Sequence, residues 1–232
     1  EQPRLKLVTG DDYAPFTGIN LPGGGMLTQL VMAALAEQQL QADLDWLPWK
    51  RGYLYASQSR YDGTFPYVPT PDRAREFLYS EPVYILRQHF FSRSDEALEP
   101  ENLGALTGKR LCYPLGWQPP AIIQALLDQG LITRHSPPSL SACAKLLLLQ
   151  RDDFFVADRL LGQVALRDSG KPLTAFHTSG SSLPHSSLHF IVARQHPQAA
   201  ELIERFNAGL AALQASGKYA QIIEQYSQAP AD

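Results

Sequence analysis

The apolar residues recur along the chain with two spacings, every second residue as in a strand and every three or four residues as in a helix. Residues 5–8 (LKLV) and 42–46 (ADLDW) show the two-residue period of half-buried strands. After a Gly/Pro loop at residues 21–25, one apolar stripe recurs at helical spacing, formed by Leu27, Leu30, Val31, Ala34 and Leu35. Strand-like and helix-like segments alternate through the rest of the chain. This alternation predicts an α/β fold with helices flanking mixed sheets.

Short sequence signals predict where two helices begin and where two long strands lie. Thr70 before Pro71 and Asp72 is typical of a helix N-terminus, because Thr caps the helix, Pro suits its first turn and an acid suits its positive end. A second helix is predicted to carry Pro119-Pro120 in its first turn and to end near residue 128. Residues 84–91 and 188–193 each predict a long strand.

These two long strands are interpreted as crossovers between two lobes. The first is followed by a polar segment at residues 92–100, where the composition changes. We therefore expect a discontinuous lobe 1 of residues 1–90 plus 188–232 and a lobe 2 of residues 91–187. Such a layout is that of a hinge protein with a cleft between its lobes and two hinge strands.

Composition and charge exclude several classes of function. The 232 residues are 44% hydrophobic and 19% charged, with a formal net charge of -3. No basic patch that would bind nucleic acid and no apolar run that would span a membrane is visible. The six histidines have no metal-site spacing, and no metal or cofactor is expected. The start of the chain shows no export signal, which fits a mature exported protein as well as a cytoplasmic one.

Two cysteines, Cys112 and Cys143, leave two interpretations open. Both are consistent with small buried apolar residues, or with one disulfide between a strand and the helix packed near it. An oxidising compartment favours the disulfide.

Several short blocks, in this order, carry a family resemblance across nearly the whole chain. They are 11–16 (DDYAPF), 61–63 (YDG), 70–73 (TPDR), 80–84 (SEPVY), 106–110 (LTGKR) with Gly116, 151–158 (RDDFFVAD), 206–210 (FNAGL) and 217–219 (GKY). Each block is weakly specific alone, whereas their order and spacing are specific together. The chain resembles a type II periplasmic solute-binding protein of the polar-amino-acid family, the bacterial extracellular solute-binding proteins of family 3.

The resemblance implies a non-enzymatic, monomeric periplasmic protein whose export signal has been removed. Its expected partners are a small amino-acid-like ligand and the membrane permease of an ABC importer. It also implies that Arg73 binds the ligand's α-carboxylate and that Asp158, on the other lobe, binds the α-ammonium group. The chemistry agrees, because a carboxylate suits a planar bidentate donor and an ammonium suits an acceptor-only group. A ligand held by both lobes would stabilise their closed arrangement.

The remaining expected ligand contacts are mostly aromatic or polar loop residues: Asp11, Tyr13, Phe16, Tyr67, Thr70 and Trp117. Tyr13 and Phe16 would form an apolar wall, or would pack as core aromatics under a loop. Trp117 stands where the family usually has a small hydroxyl residue. Segment 65–69 (FPYVP) is one residue short relative to the family and lacks its small Gly, Ser and Thr residues, so Tyr67 is expected to replace them.

Simpler structural interpretations stand beside these roles. Arg73 would form a surface ion pair with Asp72 or Glu76. Asp158 would cap the helix that follows it, and its carboxylate has enough lone pairs to do this and bind a ligand.

Two other functions remain as alternatives to transport. The same fold hosts periplasmic dehydratases, which would need a general acid or base in the cleft, and only Asp158, Asp11 and Asp12 offer one. The other alternative is a sensor module whose closure signals to a membrane partner.

Overall fold

The computed structural model describes residues 3–13, 15–115 and 119–227. The chain forms two compact units, unit 1 comprising Glu1–Leu86 and Ser186–Asp232 and unit 2 comprising Arg87–His185. None of the helices in these described ranges has the length and apolar character that crossing a bilayer requires.

The strands, in chain order, are β1 Leu5–Thr9, β2 Ala42–Trp46, β3 Gly63–Tyr67, β4 Phe77–Tyr79, β5 Tyr84–Leu86, β6 Gln88–Arg93, β7 Arg110–Cys112, β8 Thr133–His135, β9 Phe154–Asp158, β10 Phe176–Thr178 and β11 Ser186–Ala193. The helices are α1 Met26–Glu37, α2 Trp49–Ser57, α3 Pro71–Glu76, α4 Ala121–Asp128, α5 Leu140–Leu148, α6 Arg159–Asp168, α7 Ala199–Ala215 and α8 Lys218–Ser227.

Unit 1 is built on a mixed sheet of strand order β2-β1-β3-β11-β4, with β5 also paired to β11. Strand β1 runs parallel to β2 and β3, while β11 is antiparallel to β3, β4 and β5. Helices α1 and α7 pack closely through their apolar stripes, since a Cβ on Gly209 would lie only 1.9 Å from the Ala34 carbonyl oxygen. This contact requires glycine and brings the last long helix onto the first.

Unit 2 is built on a second mixed sheet of order β10-β6-β9-β7-β8. All five residues of β9 are buried, so this strand carries core side chains on both faces. One face holds Phe91 and Phe155, whose rings stack with centroids 4.8 Å apart against α5 and α6. The other holds Phe90, Phe154 and neighbouring apolar residues. Helices therefore flank both sheets, as the sequence predicts.

The predicted strand at residues 84–91 is wrong as a single element. It is two strands, β5 and β6, separated at Arg87, because β5 hydrogen-bonds to β11 in unit 1 whereas β6 hydrogen-bonds to β9 and β10 in unit 2. The units divide after Leu86 and after His185, whereas the strand pattern predicts these boundaries after residue 90 and before residue 188. Pro120 is the N-cap of α4 and precedes the helix instead of lying in its first turn.

The two cysteines form a disulfide, which confirms the second interpretation of their pairing. Cys112 at the end of β7 and Cys143 in α5 have Cα atoms 5.5 Å apart, and both side chains are fully buried. The bond ties the strand to the helix inside the core of unit 2.

We expect loss of this disulfide to lower the free energy of unfolding by about 3–4 kcal/mol, because it closes a loop with a sequence separation of 31 residues. Urea unfolding of the oxidised protein, of the reduced protein and of the Cys112→Ala/Cys143→Ala variant would measure this. The variant should be insensitive to reductant. An unchanged unfolding midpoint after complete reduction would contradict the prediction.

Candidate functional site

Arg73 lies in the first turn of α3, which begins at Pro71 and has Thr70 as its N-cap, as predicted. The Thr70 hydroxyl accepts a hydrogen bond from the Arg73 backbone N–H at 3.2 Å, which caps the helix. The guanidinium donates from Nη1 to the Val68 carbonyl oxygen at 2.7 Å and lies 5.0 Å from the centre of the Tyr67 ring. The side chain is therefore held by a carbonyl and an aromatic face.

The alternative interpretation of Arg73, a surface ion pair with Asp72 or Glu76, is wrong. Asp72 instead lies 3.4 Å from Arg75, and Glu76 accepts a hydrogen bond from the Tyr53 hydroxyl at 2.8 Å. Within the described part of the chain, no carboxylate forms an ion pair with Arg73.

Tyr67, at the end of β3, is enclosed by other aromatic rings. Trp49 meets it edge-on at 6.3 Å between ring centres, and Tyr53 lies tilted at 5.6 Å. Burial raises the pKa of the Tyr67 phenol to about 12, against the opposing effect of Arg73, so the hydroxyl is neutral at physiological pH. Its ring therefore faces the Arg73 cation without a competing negative charge of its own.

Sequence reasoning gave Trp49 and Tyr53 no part in this aromatic cluster. They lie four residues apart in α2, on one helix face, and this spacing was the available signal. The Trp49 indole N–H donates to the Asp11 carbonyl oxygen at 3.0 Å, and its ring meets Tyr13 edge-on at 6.3 Å between centres. Trp49 thus connects the 11–13 loop to β3.

The expected loop contacts differ in exposure. Tyr13 is partly exposed, whereas Phe16 is fully buried and packs 5.1 Å from the Tyr13 ring and 5.4 Å from the Tyr84 ring. Phe16 is therefore a core residue that supports Tyr13, as the alternative interpretation held. The Asp11 carboxylate accepts hydrogen bonds from the backbone N–H groups of Asp12 and Ile19, so it organises its own loop. Trp117 lies outside the described residues.

Asp158 ends β9 in unit 2 and is nearly fully buried, with 4% of its surface exposed. One carboxylate oxygen accepts from the Leu160 backbone N–H at 3.0 Å, so Asp158 is the N-cap of α6, as the alternative interpretation held. The other oxygen lies 3.4 Å from the Arg87 backbone nitrogen. No lysine or arginine in the described ranges forms an ion pair with it, and lone pairs remain for a ligand.

Burial raises the pKa of the Asp158 carboxyl. Hydrogen bonds from the backbone N–H groups of Arg87, Leu160 and Leu161 oppose this rise, as does the nearby His89. His89 is buried on β6, and its Nδ1 lies 2.9 Å from the Ser179 carbonyl oxygen. Because a carbonyl only accepts, Nδ1 carries the proton. Sequence reasoning gave His89 no role, since the strand pairing that places it here has no local signature.

A serine–histidine pair occurs on β11. The Ser187 hydroxyl lies 2.6 Å from Nε2 of His189, whose Nδ1 faces the Ser80 carbonyl oxygen at 2.7 Å. Burial lowers the pKa of His189, which keeps the imidazole neutral. A backbone carbonyl stands where a catalytic triad has a carboxylate, and these bonds connect β11 to the segment after β4.

Only one group of possible metal ligands is close enough to act together within the described residues: Cys112, His135 and Asp152 have ligand atoms within 4.8 Å of one another. The Cys112 sulfur is already bonded to Cys143, and the Asp152 carboxylate pairs with His135 at 2.7 Å. The disulfide and the hydrogen bond between His135 and Asp152 account for this group.

Comparison with known proteins places the fold. The chain matches the family model of the bacterial extracellular solute-binding proteins, family 3, over residues 5–229, and no curated protein matches it. Similar solved structures include a histidine kinase sensor domain with similarity to periplasmic binding proteins, at 22% identity and TM-score 0.72 over 96% of both chains.

Two further solved structures, both of ligand-binding domains, are similar to this chain. The GluR0 ligand-binding core from Nostoc punctiforme, in complex with L-glutamate, is 17% identical with TM-score 0.73, over 96% of this chain and 98% of that one. Substrate binding domain 2 of Lactococcus lactis GlnP, in an open conformation, is 21% identical with TM-score 0.72, over 98% and 96%. At these identities the likeness shows the fold, and it confirms the predicted periplasmic-binding-protein-like class.

The Trp49 position depends on Gly10. A Cβ at Gly10 would lie 2.2 Å from Cε2 of the Trp49 ring, so we expect Gly10→Ala to displace the indole and to destabilise the protein by about 1–3 kcal/mol. Tryptophan fluorescence and thermal unfolding would measure both effects. Gly180→Ala is the matched control, because a Cβ there meets nothing within 4 Å. Equal behaviour of the two variants would contradict the prediction.

Proposed function

Because the chain belongs to the bacterial extracellular solute-binding proteins of family 3, we propose that it captures an amino acid or a similar small zwitterion for an ABC importer. We further propose that it works in the periplasm as a monomer and leaves its ligand chemically unchanged. The observation that carries this proposal is the state of Arg73, a positioned guanidinium that no carboxylate of the described residues neutralises.

Arg73 suits the carboxylate of such a ligand. The bond to the Val68 carbonyl and the contact with the Tyr67 ring restrict the side chain before any ligand arrives, so less conformational entropy is lost on binding. The remaining N–H groups can donate to both oxygens of one carboxylate, the strongest geometry for this pair.

Asp158 suits the ammonium group of the same ligand. Its carboxylate is held by backbone N–H groups of α6 and Arg87 and forms no ion pair with a lysine or arginine of the described residues. We infer the pairing of Arg73 with Asp158 on one ligand from the family pattern. The support in each unit is a charged side chain that forms no ion pair with a side chain of the described residues.

Sensing is the second candidate function, since the fold also matches a histidine kinase sensor domain over 96% of each chain. Both functions begin with ligand capture and differ in the membrane partner. Uptake of labelled ligand by cells that lack the gene separates them, because loss of uptake supports transport, whereas normal uptake with a lost transcriptional response supports sensing.

We expect isothermal titration with the twenty amino acids to find at least one ligand with a Kd of about 1 μM. Arg73→Gln should weaken this binding by about 2–5 kcal/mol, roughly 30-fold or more, because the carboxylate loses its charged donor. Arg75→Gln is the matched control, since Arg75 lies on the same helix, is exposed and pairs with Asp72. Normal binding by Arg73→Gln would refute the assigned role.

Recovery of the ligand after long incubation tests whether the protein is an enzyme. We expect unchanged ligand by mass spectrometry, whereas a converted product would favour the dehydratase-like alternative.

The raised pKa of Asp158 predicts opposite effects of pH on folding and binding. The folded protein protonates this carboxyl at a higher pH than the unfolded chain, so the contribution of Asp158 to stability rises as pH falls through the folded pKa and levels off below the unfolded pKa. Ligand affinity should fall in the same range, because the ammonium binds the ionised form.

The variant Asp158→Asn isolates this effect, since Asn is also a good N-cap. At pH 7 we expect the ligand-free variant to be at least as stable as the wild type, with ligand affinity reduced about 30-fold or more. The stability difference should shrink as pH falls. Urea unfolding and titration at a series of pH values would measure both, and a stability difference that grows on acidification would contradict the assignment.

A further inference from the structure

A buried acceptor without a donor lies beside Asp158. Oε1 of Gln88 is inaccessible to solvent and has no hydrogen-bond partner in the described part of the chain. Buried polar side-chain atoms are nearly always paired, so an unpaired one calls for a partner that the isolated chain does not supply.

The strand pairing places Gln88 and Asp158 together. They are direct partners in the antiparallel register of β6 and β9. Directly opposite residues point to the same face of a sheet, with Cβ atoms about 4.5–5.5 Å apart. The Arg87 backbone nitrogen, one residue before Gln88, lies 3.4 Å from the Asp158 carboxylate, which agrees with this placement.

Gln88 and Asp158 offer two hydrogen-bond acceptors that differ in charge. The Asp158 carboxylate carries charge and keeps lone pairs beyond those used by Leu160 and Arg87. The Gln88 oxygen is neutral and unoccupied. Together they match a group that has positive charge and more than one N–H donor, which a primary ammonium has and a tertiary ammonium lacks.

The other buried unpaired oxygens do not share this position. Ser92 lies on the same strand but is fully buried in the core, and Ser59 lies in unit 1, whereas Asp158 lies in unit 2. Gln88 is the unpaired acceptor that stands opposite a proposed ligand residue.

We propose that Gln88 binds the ligand through Oε1 and, with Asp158, selects a primary ammonium group over its N-alkylated analogues. This rests on the proposed function and adds a residue and a selectivity to it. No interaction within the described chain competes for the Gln88 oxygen.

The test uses Gln88→Met, which keeps the length of the side chain and removes the acceptor. The probes are the tightest-binding amino acid from the panel and its N,N-dimethyl analogue. We expect the wild type to prefer the primary amine and Gln88→Met to lose about 10- to 100-fold in affinity for it, with a much smaller loss for the dimethyl analogue. Gln129→Met, on an exposed glutamine of unit 2, is the control and should bind as the wild type does.

The outcomes separate this inference from the proposed function. Unchanged affinity in Gln88→Met, together with lost affinity in Arg73→Gln, overturns the role of Gln88 and leaves the proposed function intact. An equal loss for both probes, with the fold intact by circular dichroism, also overturns it, because a merely structural residue would act in this way. If no amino acid binds the wild type, both proposals fall.

Discussion

Pairing of β11 with three other strands is the constraint on which unit 1 depends. Its residues satisfy the backbone groups of β3, β4 and β5 from the far end of the chain. Helix α3 is the short connection between β3 and β4, and both of these strands are registered on β11. The position of Arg73 is therefore fixed by a strand more than a hundred residues later, and not by the short helix on which it lies.

The two candidate binding residues hold their charges in the same way. Arg73 has a carbonyl oxygen and an aromatic face as partners, and Asp158 has backbone N–H groups. Fixed dipoles reduce the cost of desolvating each charge without neutralising it. A salt bridge within the protein would lower that cost further, but it would have to be broken before a ligand could bind. In the proposed function, this partial compensation by dipoles leaves each charge able to attract an oppositely charged group of the ligand.

The sequence predicts the elements governed by local signals. Thr70 caps its helix as expected, and the two cysteines form the disulfide that was one of their two interpretations. Features that depend on which distant segment a strand or side chain pairs with could not be predicted from the sequence. Residues 84–91 read as one strand because both halves are apolar, and only the separate partners β11 and β9 divide them. Similarly, the burial of Phe16 and the opposition of Gln88 to Asp158 follow from packing and register, which no local pattern encodes.

The aromatic rings around Tyr67, at the end of β3, bear on what this residue contributes to the proposed site. Tyr67 stands in the segment where the family pattern has small Gly, Ser and Thr residues, and its ring is engaged by Trp49, Tyr53 and Arg73. A ring held on these sides supports Arg73 more than it offers flexible donors to a ligand. In the proposed function, recognition of a carboxylate in unit 1 therefore relies on the Arg73 guanidinium itself. At the opposite end of the proposed zwitterion, the unpaired Gln88 oxygen in unit 2 would add an acceptor beside Asp158.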